Sequence, residues 1–332
     1  MKLFRRAILA GGVILAAVQR ARAAGWGDPP TPAAGDPDAP PWPPRVRIAL
    51  WPGDPPGMPA VAPTPSQTMN GPHAQRQLWV SGVARPQINV FRAAQPGGAA
   101  LLVLPGGAYR LLSVQSEGIE LARRFGPSGI SVFVLSYRLP GEGWSQRERV
   151  PLADAQRAMR LLRARAALLG IDPERIGVMG FSAGGHLAAD LATAFDESCY
   201  AAVDGADELS ARPCFAALIY PVASLQREFG HSATRDNLLG PGATAAMIAR
   251  RSPAENVRAD TPPCFIVHAV DDDVVPVDAS LRMIAACRQR KVGVEAHLFE
   301  SGGHGFGMRA APGSPAALWP DLFEAWLKQR QG

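Results

Sequence analysis

The sequence is poor in the residues that build covalent or metal cross-links. Its 332 residues hold four cysteines and six histidines. No cysteine precedes Cys199, and nowhere do Cys and His stand at metal-ligand spacing, so neither an N-terminal lipid-anchored cysteine nor a bound metal is expected. Long apolar runs are also missing. Ala7–Val18 spans about 12 residues, where a membrane crossing needs roughly 20. Charge is sparse, at 19% of residues against 47% hydrophobic, which fits a globular chain rather than a disordered one.

The net charge of +5 is unevenly placed. Lys2, Arg5, Arg6, Arg20 and Arg22 lie before Ala23 with no acidic residue among them, and the remaining basic residues balance the 29 acidic ones. A neutral body has no electrostatic footprint for nucleic acid. Residues 1–23 read instead as a signal peptide: a basic start, a short apolar run, and Ala21-Arg22-Ala23 as the cleavage motif. Arg5-Arg6 before Ala7-Ile8-Leu9 resembles a twin-arginine signal with an incomplete flanking pattern, so ordinary Sec export stands beside it. The protein is therefore expected to be periplasmic or secreted, with no membrane association after cleavage. An oxidising compartment permits a disulfide. Cys199 and Cys214, flanking a polar excursion, are the candidates, whereas Cys264 and Cys287 read as buried free thiols.

Residues 24–44 are rich in Pro and Gly and read as a flexible lead-in. Residues 45–332 read as one domain. Strand-like segments at Val46–Trp51 and Leu78–Phe91 precede apolar runs of strand length at Ala100–Leu104, Ile130–Leu135, Ile176–Phe181, Phe215–Tyr220, Phe265–Ala269 and Glu295–Phe299. Helix-period stretches lie between and after them at Glu117–Phe125, Leu152–Leu169, His186–Phe195, Ala279–Arg290 and Ala316–Gln329. On the second of these, Arg157, Arg160, Arg163 and Arg165 are expected on the outer surface. Strands apolar throughout, alternating with helices, imply a mostly parallel central sheet with helices on both faces. Residues 196–213 and 224–262 are expected to be irregular insertions.

The chemistry concentrates at three strand ends. Gly180-Phe181-Ser182-Ala183-Gly184 follows a strand and opens a helix, the G-x-S-x-G pattern in which a serine occupies a strained turn. Glycines are required because a Cβ on either side would collide with crossing backbone. A serine needs a base, and the base needs a carboxylate to orient it. Asp271, Asp272 and Asp273 follow the strand Phe265–Ala269, and His304 stands in a Gly-rich loop after Glu295–Phe299. His268 and His186 read as structural. The turn Pro105-Gly106-Gly107-Ala108-Tyr109 ends an early strand, and its Gly107 and Ala108 N–H groups, with that of Ala183, are candidates for an oxyanion hole. An Ala108 N–H serves there provided its φ stays negative. Tyr109 and Trp144 are candidates for a substrate cleft.

These motifs, with Glu117-Gly118, Tyr137-Arg138-Leu139-Pro140, Gly185-His186-Leu187-Ala188 and Gly302-Gly303-His304-Gly305-Phe306, resemble the acetyl esterase/lipase branch of the α/β-hydrolases. That branch contains acetylxylan and feruloyl esterase-like enzymes, and the likeness covers most of residues 46–330. It implies an α/β-hydrolase fold, a serine esterase with Ser182, His304 and an acid at Asp272, and no cofactor. The chain departs from the related His-Gly-Gly-Gly type, with Pro105 in place of the His and Ala108 in place of the third Gly. The implied substrates are short-chain or O-acetyl esters of small molecules or oligosaccharides. A lipase- or lactonase-type hydrolase and a non-catalytic binder on the same fold are the alternatives.

Overall fold

The computed structural model describes residues 31–71, 75–228 and 232–330. The signal-peptide expectation, 1–23, lies outside them. In chain order the strands are β1 (Thr31–Pro32), β2 (Arg47–Ala49), β3 (Ser66–Asn70), β4 (Gln77–Ser81), β5 (Gln87–Phe91), β6 (Gly98–Leu104), β7 (Ser131–Ser136), β8 (Ile171–Phe181), β9 (Ala216–Ile219), β10 (Cys264–Ala269) and β11 (Val294–Phe299). The helices are α1 (Glu120–Phe125), α2 (Val150–Ala164), α3 (Ala166–Leu169), α4 (Ala183–Thr193), α5 (Ser232–Leu239), α6 (Ala245–Arg250), α7 (Asp278–Gln289) and α8 (Trp319–Gln329).

Eight strands form the main sheet in the order β11-β10-β9-β8-β6-β7-β5-β2. From β11 to β7 every pairing is parallel, and β5 and β2 add antiparallel strands at one edge. The alternation of side chains along each strand sends successive residues to opposite faces. Leu102 and Leu104 enter one core with Leu162 of α2 and Leu187 of α4. Leu101 and Val103 enter the other with Phe125 of α1 and Trp319, Phe323 and Trp326 of α8. Both faces are covered, which is why β7, β9 and β10 are buried at every position.

The chain leaves β6 towards β7 on one side and returns as β8 on the other, so the strand order reverses between β6 and β8. Ligands bind outside the carboxyl ends of strands at such a reversal. The turn after Leu104 and the serine after Phe181 both emerge there.

Several expectations need correction. Leu78–Phe91 is two strands in two different sheets: β4 joins β1 and β3 in a small antiparallel sheet, while β5 joins the main one. Gly82 breaks the run at φ 69°, where a Cβ would meet Thr64 O. The lead-in 24–44 is packed over its described part: Thr31–Pro32 pairs with β3, Ala33 is buried, and Trp42 stacks on Phe91 at 6.5 Å. Residues 224–262 contain α5 and α6. Arg157 is 1% exposed rather than on the surface, because Asp204 and Asp207 of the 196–213 excursion reach over to pair with it.

The four thiols are free. Cys199 packs against the core on one face of the sheet and Cys214 against the core on the other, so the sheet separates the pair expected to bridge. Burial pushes both thiols up to about 12, which keeps them from the reactive thiolate form. Cys264 and Cys287, read separately from the sequence, instead lie side chain to side chain in one core.

The residues of Tyr137-Arg138-Leu139-Pro140 anchor the edge of the domain. Asp154 on α2 is fully buried and accepts from Arg138 Nε (3.0 Å), the Arg138 amide (2.9 Å) and Trp51 Nε1 (3.0 Å). Removing the carboxylate would leave a buried guanidinium without its counter-charge. Asp154→Ala is expected to lower stability by about 3–5 kcal/mol in urea unfolding. Asp54→Ala, which breaks an exposed pair with Arg85, is expected to change it by less than about 1 kcal/mol.

Candidate active site

Ser182 stands between β8 and α4 at φ 52°, ψ −118°, a conformation outside the ordinary wells for a side-chain-bearing residue. Glycine makes the turn possible. A Cβ on Gly180 would lie 2.0 Å from Gly184 O, and one on Gly184 would lie 2.0 Å from Leu104 O. Backbone bonds hold the strained residue: its N–H donates to Ile219 O (3.0 Å), and its carbonyl accepts from His186 N–H (2.9 Å). The helix begins at Ala183, three residues before the expected His186, so it starts immediately beside the hydroxyl.

The structure brings Ser182, His304 and Asp272 together. His304 Nε2 lies 2.9 Å from Ser182 Oγ, and His304 Nδ1 lies 2.7 Å from Asp272 Oδ2. Asp272 cannot donate as a carboxylate, so Nδ1 carries the proton and Nε2 is free to accept one from the serine. Asp272 Oδ1 accepts from the amides of Val274 (2.9 Å) and Val275 (2.8 Å). Burial raises its affinity for a proton, yet the bonds from His268 and His304 outweigh that and hold the carboxyl well below the usual range.

His268 has a defined part in this arrangement. Its Nε2 faces two acceptors, Asp272 Oδ2 (3.2 Å) and Val275 O (3.0 Å), so that nitrogen is the protonated one. The Ser280 hydroxyl, 2.7 Å away, then donates to Nδ1. Asp271 is not in the Ser–His–Asp chain. Its Oδ1 accepts from Gly302 N–H (2.9 Å) and Gly303 N–H (2.8 Å) and clamps the loop that carries His304. Only their position beside Asp272 could have suggested either role from the sequence.

The turn after β6 passes directly under the serine. A Cβ on Gly106 would lie 3.0 Å from Ser182 Cβ. Gly106 O accepts from Ser113 N–H (3.0 Å), and Gly107 O accepts from Arg110 N–H (2.9 Å). In a trans peptide C=O and N–H point opposite ways, so the N–H groups of Gly107 and Ala108 face away from those acceptors. Neither has a backbone partner among the described residues, and Ala183 N–H is an unpaired donor of a helix start. One expectation fails: φ of Ala108 is +51°, not negative, as three successive residues, Gly107, Ala108 and Tyr109, curl with positive φ. The condition set on the sign of φ falls with it, because the direction of the Ala108 N–H is fixed by the Gly107–Ala108 peptide plane. Asn237 of α5 secures the curl by donating to Ala108 O at 2.7 Å.

Tyr109 and Trp144 do not line a cleft. Tyr109 is 1% exposed and its hydroxyl bonds His186 Nδ1 at 2.8 Å, while His186 Nε2 donates to Arg251 O at 2.7 Å. Trp144 is buried beneath the Arg138 guanidinium, 4.9 Å from its ring centre. Both aromatics do packing work because their positive-φ or buried surroundings turn the rings inward.

Glu117 is the site residue whose role the sequence did not disclose. Buried below the turn, its Oε2 accepts from Gly106 N–H (2.6 Å) and its Oε1 from the Tyr220 hydroxyl (2.9 Å). Burial pushes this carboxyl up to about 7 despite the two bonds.

This β-strand order, with a serine at the strand–helix turn and a histidine loop returning over it, is the α/β-hydrolase architecture. The chain belongs to the BD-FAE family, whose family model matches residues 95–286. It is 32% identical over 247 residues to an acetylxylan esterase of Xylanibacter ruminicola, covering 73% of this chain and 48% of that one. It is 36% identical over 205 residues to endo-1,4-beta-xylanase B of Butyrivibrio fibrisolvens, covering 62% and 32%. The chain thus spans half or less of these curated relatives. Among solved structures, the acetyl ester-xyloside bifunctional hydrolase from Caldicellulosiruptor lactoaceticus superposes with a TM-score of 0.72 at 32% identity, covering 87% of this chain and 97% of that one.

Glu117 makes stability depend on pH. Its folded value of about 7 exceeds the ordinary 4.5, so the folded state binds the proton more tightly than the unfolded one. Stability is therefore lost as pH rises through that window, by about 3 kcal/mol. Glu117→Gln lacks this loss. Its unfolding free energy relative to the native sequence is expected to rise by that amount between about pH 4 and about pH 8, measured by urea titration at each pH.

Proposed function

We propose that this protein is an exported serine carboxylesterase that cleaves short-chain or O-acetyl esters, with acetylated xylan-type oligosaccharides as the substrate class. The observation that carries the reading is the continuous hydrogen-bonded chain from Ser182 through His304 to Asp272, set beside three N–H groups without backbone partners. Ser182 Oγ attacks the ester carbonyl while His304 Nε2 takes its proton. The carbonyl oxygen, now an anion, is received by the N–H groups of Gly107, Ala108 and Ala183. Collapse breaks the ester C–O bond, and the imidazolium returns its proton to the departing alcohol. Water, deprotonated by His304, then releases the acid and restores Ser182. Asp272, held ionised by its bonds, stabilises the imidazolium throughout.

The substrate class is supported by relatives named for acetylxylan and acetyl ester-xyloside hydrolysis. Export is supported by the basic and apolar pattern of residues 1–23. A small acyl group is supported by Ala108, which puts a half-buried methyl on the oxyanion turn.

Ser182→Ala is expected to lower kcat/KM for p-nitrophenyl acetate by at least about 10³-fold with the fold intact. Full retention of hydrolysis would remove the mechanism. Acetate or ferulate release from xylan oligosaccharides, followed by mass spectrometry beside simple aryl esters, tests the substrate. Turnover no better than that of the aryl esters would reduce the reading to a small-ester hydrolase. Ala108→Gly is expected to raise the butyrate-to-acetate rate ratio several-fold, and an unchanged ratio would take the methyl out of the acyl pocket.

A further inference from the structure

Two loops must keep register for the proposed acyl transfer: the turn Pro105–Ala108, which faces the oxyanion, and the loop that brings His304 to Ser182. They follow different strands, β6 and β11, which lie four positions apart in the sheet. One buried group connects them. Glu117 Oε2 accepts the Gly106 amide at 2.6 Å, and Oε1 accepts the Tyr220 hydroxyl at 2.9 Å. The same hydroxyl accepts the Gly307 amide at 3.0 Å, three residues beyond His304, and the Tyr220 ring packs on the His304 ring at 5.1 Å. We propose that Glu117, acting through Gly106 and Tyr220, is a positioning residue that locks the oxyanion turn to the histidine loop, and that it does so as the carboxylate. This inference rests on the esterase reading above.

The donors around Glu117 decide the protonation state. A peptide N–H cannot become an acceptor, so a proton on the carboxyl has to sit on Oε1, facing Tyr220. The Tyr220 oxygen would then accept from both Glu117 and Gly307, and its own hydrogen would lose its acceptor. A buried hydroxyl without a partner is unfavourable, so the protonated acid loosens the Tyr220 link that the carboxylate makes well. The titratable groups acting on Glu117 are Tyr137 at the end of β7, Tyr220 after β9 and His304 after β11, with Asp272 acting on Tyr220 from beyond. Tyr137 also holds the turn, donating to Pro105 O at 2.6 Å. Because burial places the Glu117 carboxyl at about 7, the lock changes state near neutral pH.

The test is the pH dependence of p-nitrophenyl acetate hydrolysis by the native enzyme, Glu117→Gln and Tyr220→Phe, with Ser182→Ala beside them. The native acid limb is expected to titrate two groups, with log kcat/KM approaching a slope of two. Glu117→Gln is expected to leave a single-proton limb and to lower kcat about 10–100-fold while KM moves less than about 3-fold. Tyr220→Phe keeps the bond between Glu117 and Gly106 and removes the hydroxyl's bonds to both Glu117 and Gly307, so it is expected to lower kcat also. Its use keeps the proposal open to refutation if Glu117→Gln does not fold. A native limb of one proton, or a two-proton limb retained in Glu117→Gln, would overturn the positioning role, as would full kcat in both variants. Those results leave the loss of activity in Ser182→Ala untouched. Activity retained in Ser182→Ala would instead overturn the esterase reading and this proposal with it.

Discussion

The arrangement depends on one close approach of backbone to backbone. Gly184 at the start of α4 lies against the carbonyls of Leu104 and Pro105, so near that a single Cβ would overlap both. That contact sets the distance between the serine turn and the turn below it. It exists because β6 and β8 are neighbours in the sheet while β7 lies on the far side of β6. Everything else at the site adjusts to it. The positive φ of Ser182 lifts the hydroxyl clear of the contact, and the curl from Gly107 to Tyr109 carries the opposite wall around it.

Strain of this kind persists only where surrounding bonds over-determine it. Ser182 is held through its own N–H and carbonyl, and the Gly107–Tyr109 curl through the carbonyls of Pro105, Gly106, Gly107 and Ala108, each of which has a donor. The His304 loop is clamped by Asp271 on one side and by Tyr220 and Trp319 on the other, through Gly307. These supports come from at least four separate segments. The polar interior around the site is thus largely a scaffold for backbone, with few side chains left to meet a ligand directly.

Much of this was legible in the sequence, and the reasons for success and failure differ by residue. The strand and helix pattern could be read because burial on both faces leaves uninterrupted apolar runs, as in Phe265–Ala269. Gly180 and Gly184 were legible because a backbone collision leaves a residue-type signature at fixed spacing. His304 and the acidic triplet were legible because strand ends point to one edge of the sheet. Choosing Asp272 among its neighbours needed family likeness. What failed was contact at a distance. Nothing local tells that Glu117 meets Tyr220, 103 residues away, or that the sheet stands between Cys199 and Cys214. Tyr109 and Trp144 misled because an aromatic beside a loop has the same local pattern whether its ring faces in or out. The φ of Ala108 misled because alanine carries no mark of the left-handed region that glycine would have announced.

Both cores are completed only by elements late in chain order. The core lined by Leu102 and Leu104 draws on α2 and α4 and also on Met283 and Cys287 of the later α7, while the opposite face takes Phe125 of α1 early and Trp319, Phe323 and Trp326 of α8 last. That helix follows all eight strands of the main sheet. Until α8 follows, that face is covered only in part, by Leu121 and Phe125 of α1. The same delay applies to His304, which follows the last strand. Completion of the second core and of the catalytic hydrogen-bonded chain therefore waits on the residues that follow β11.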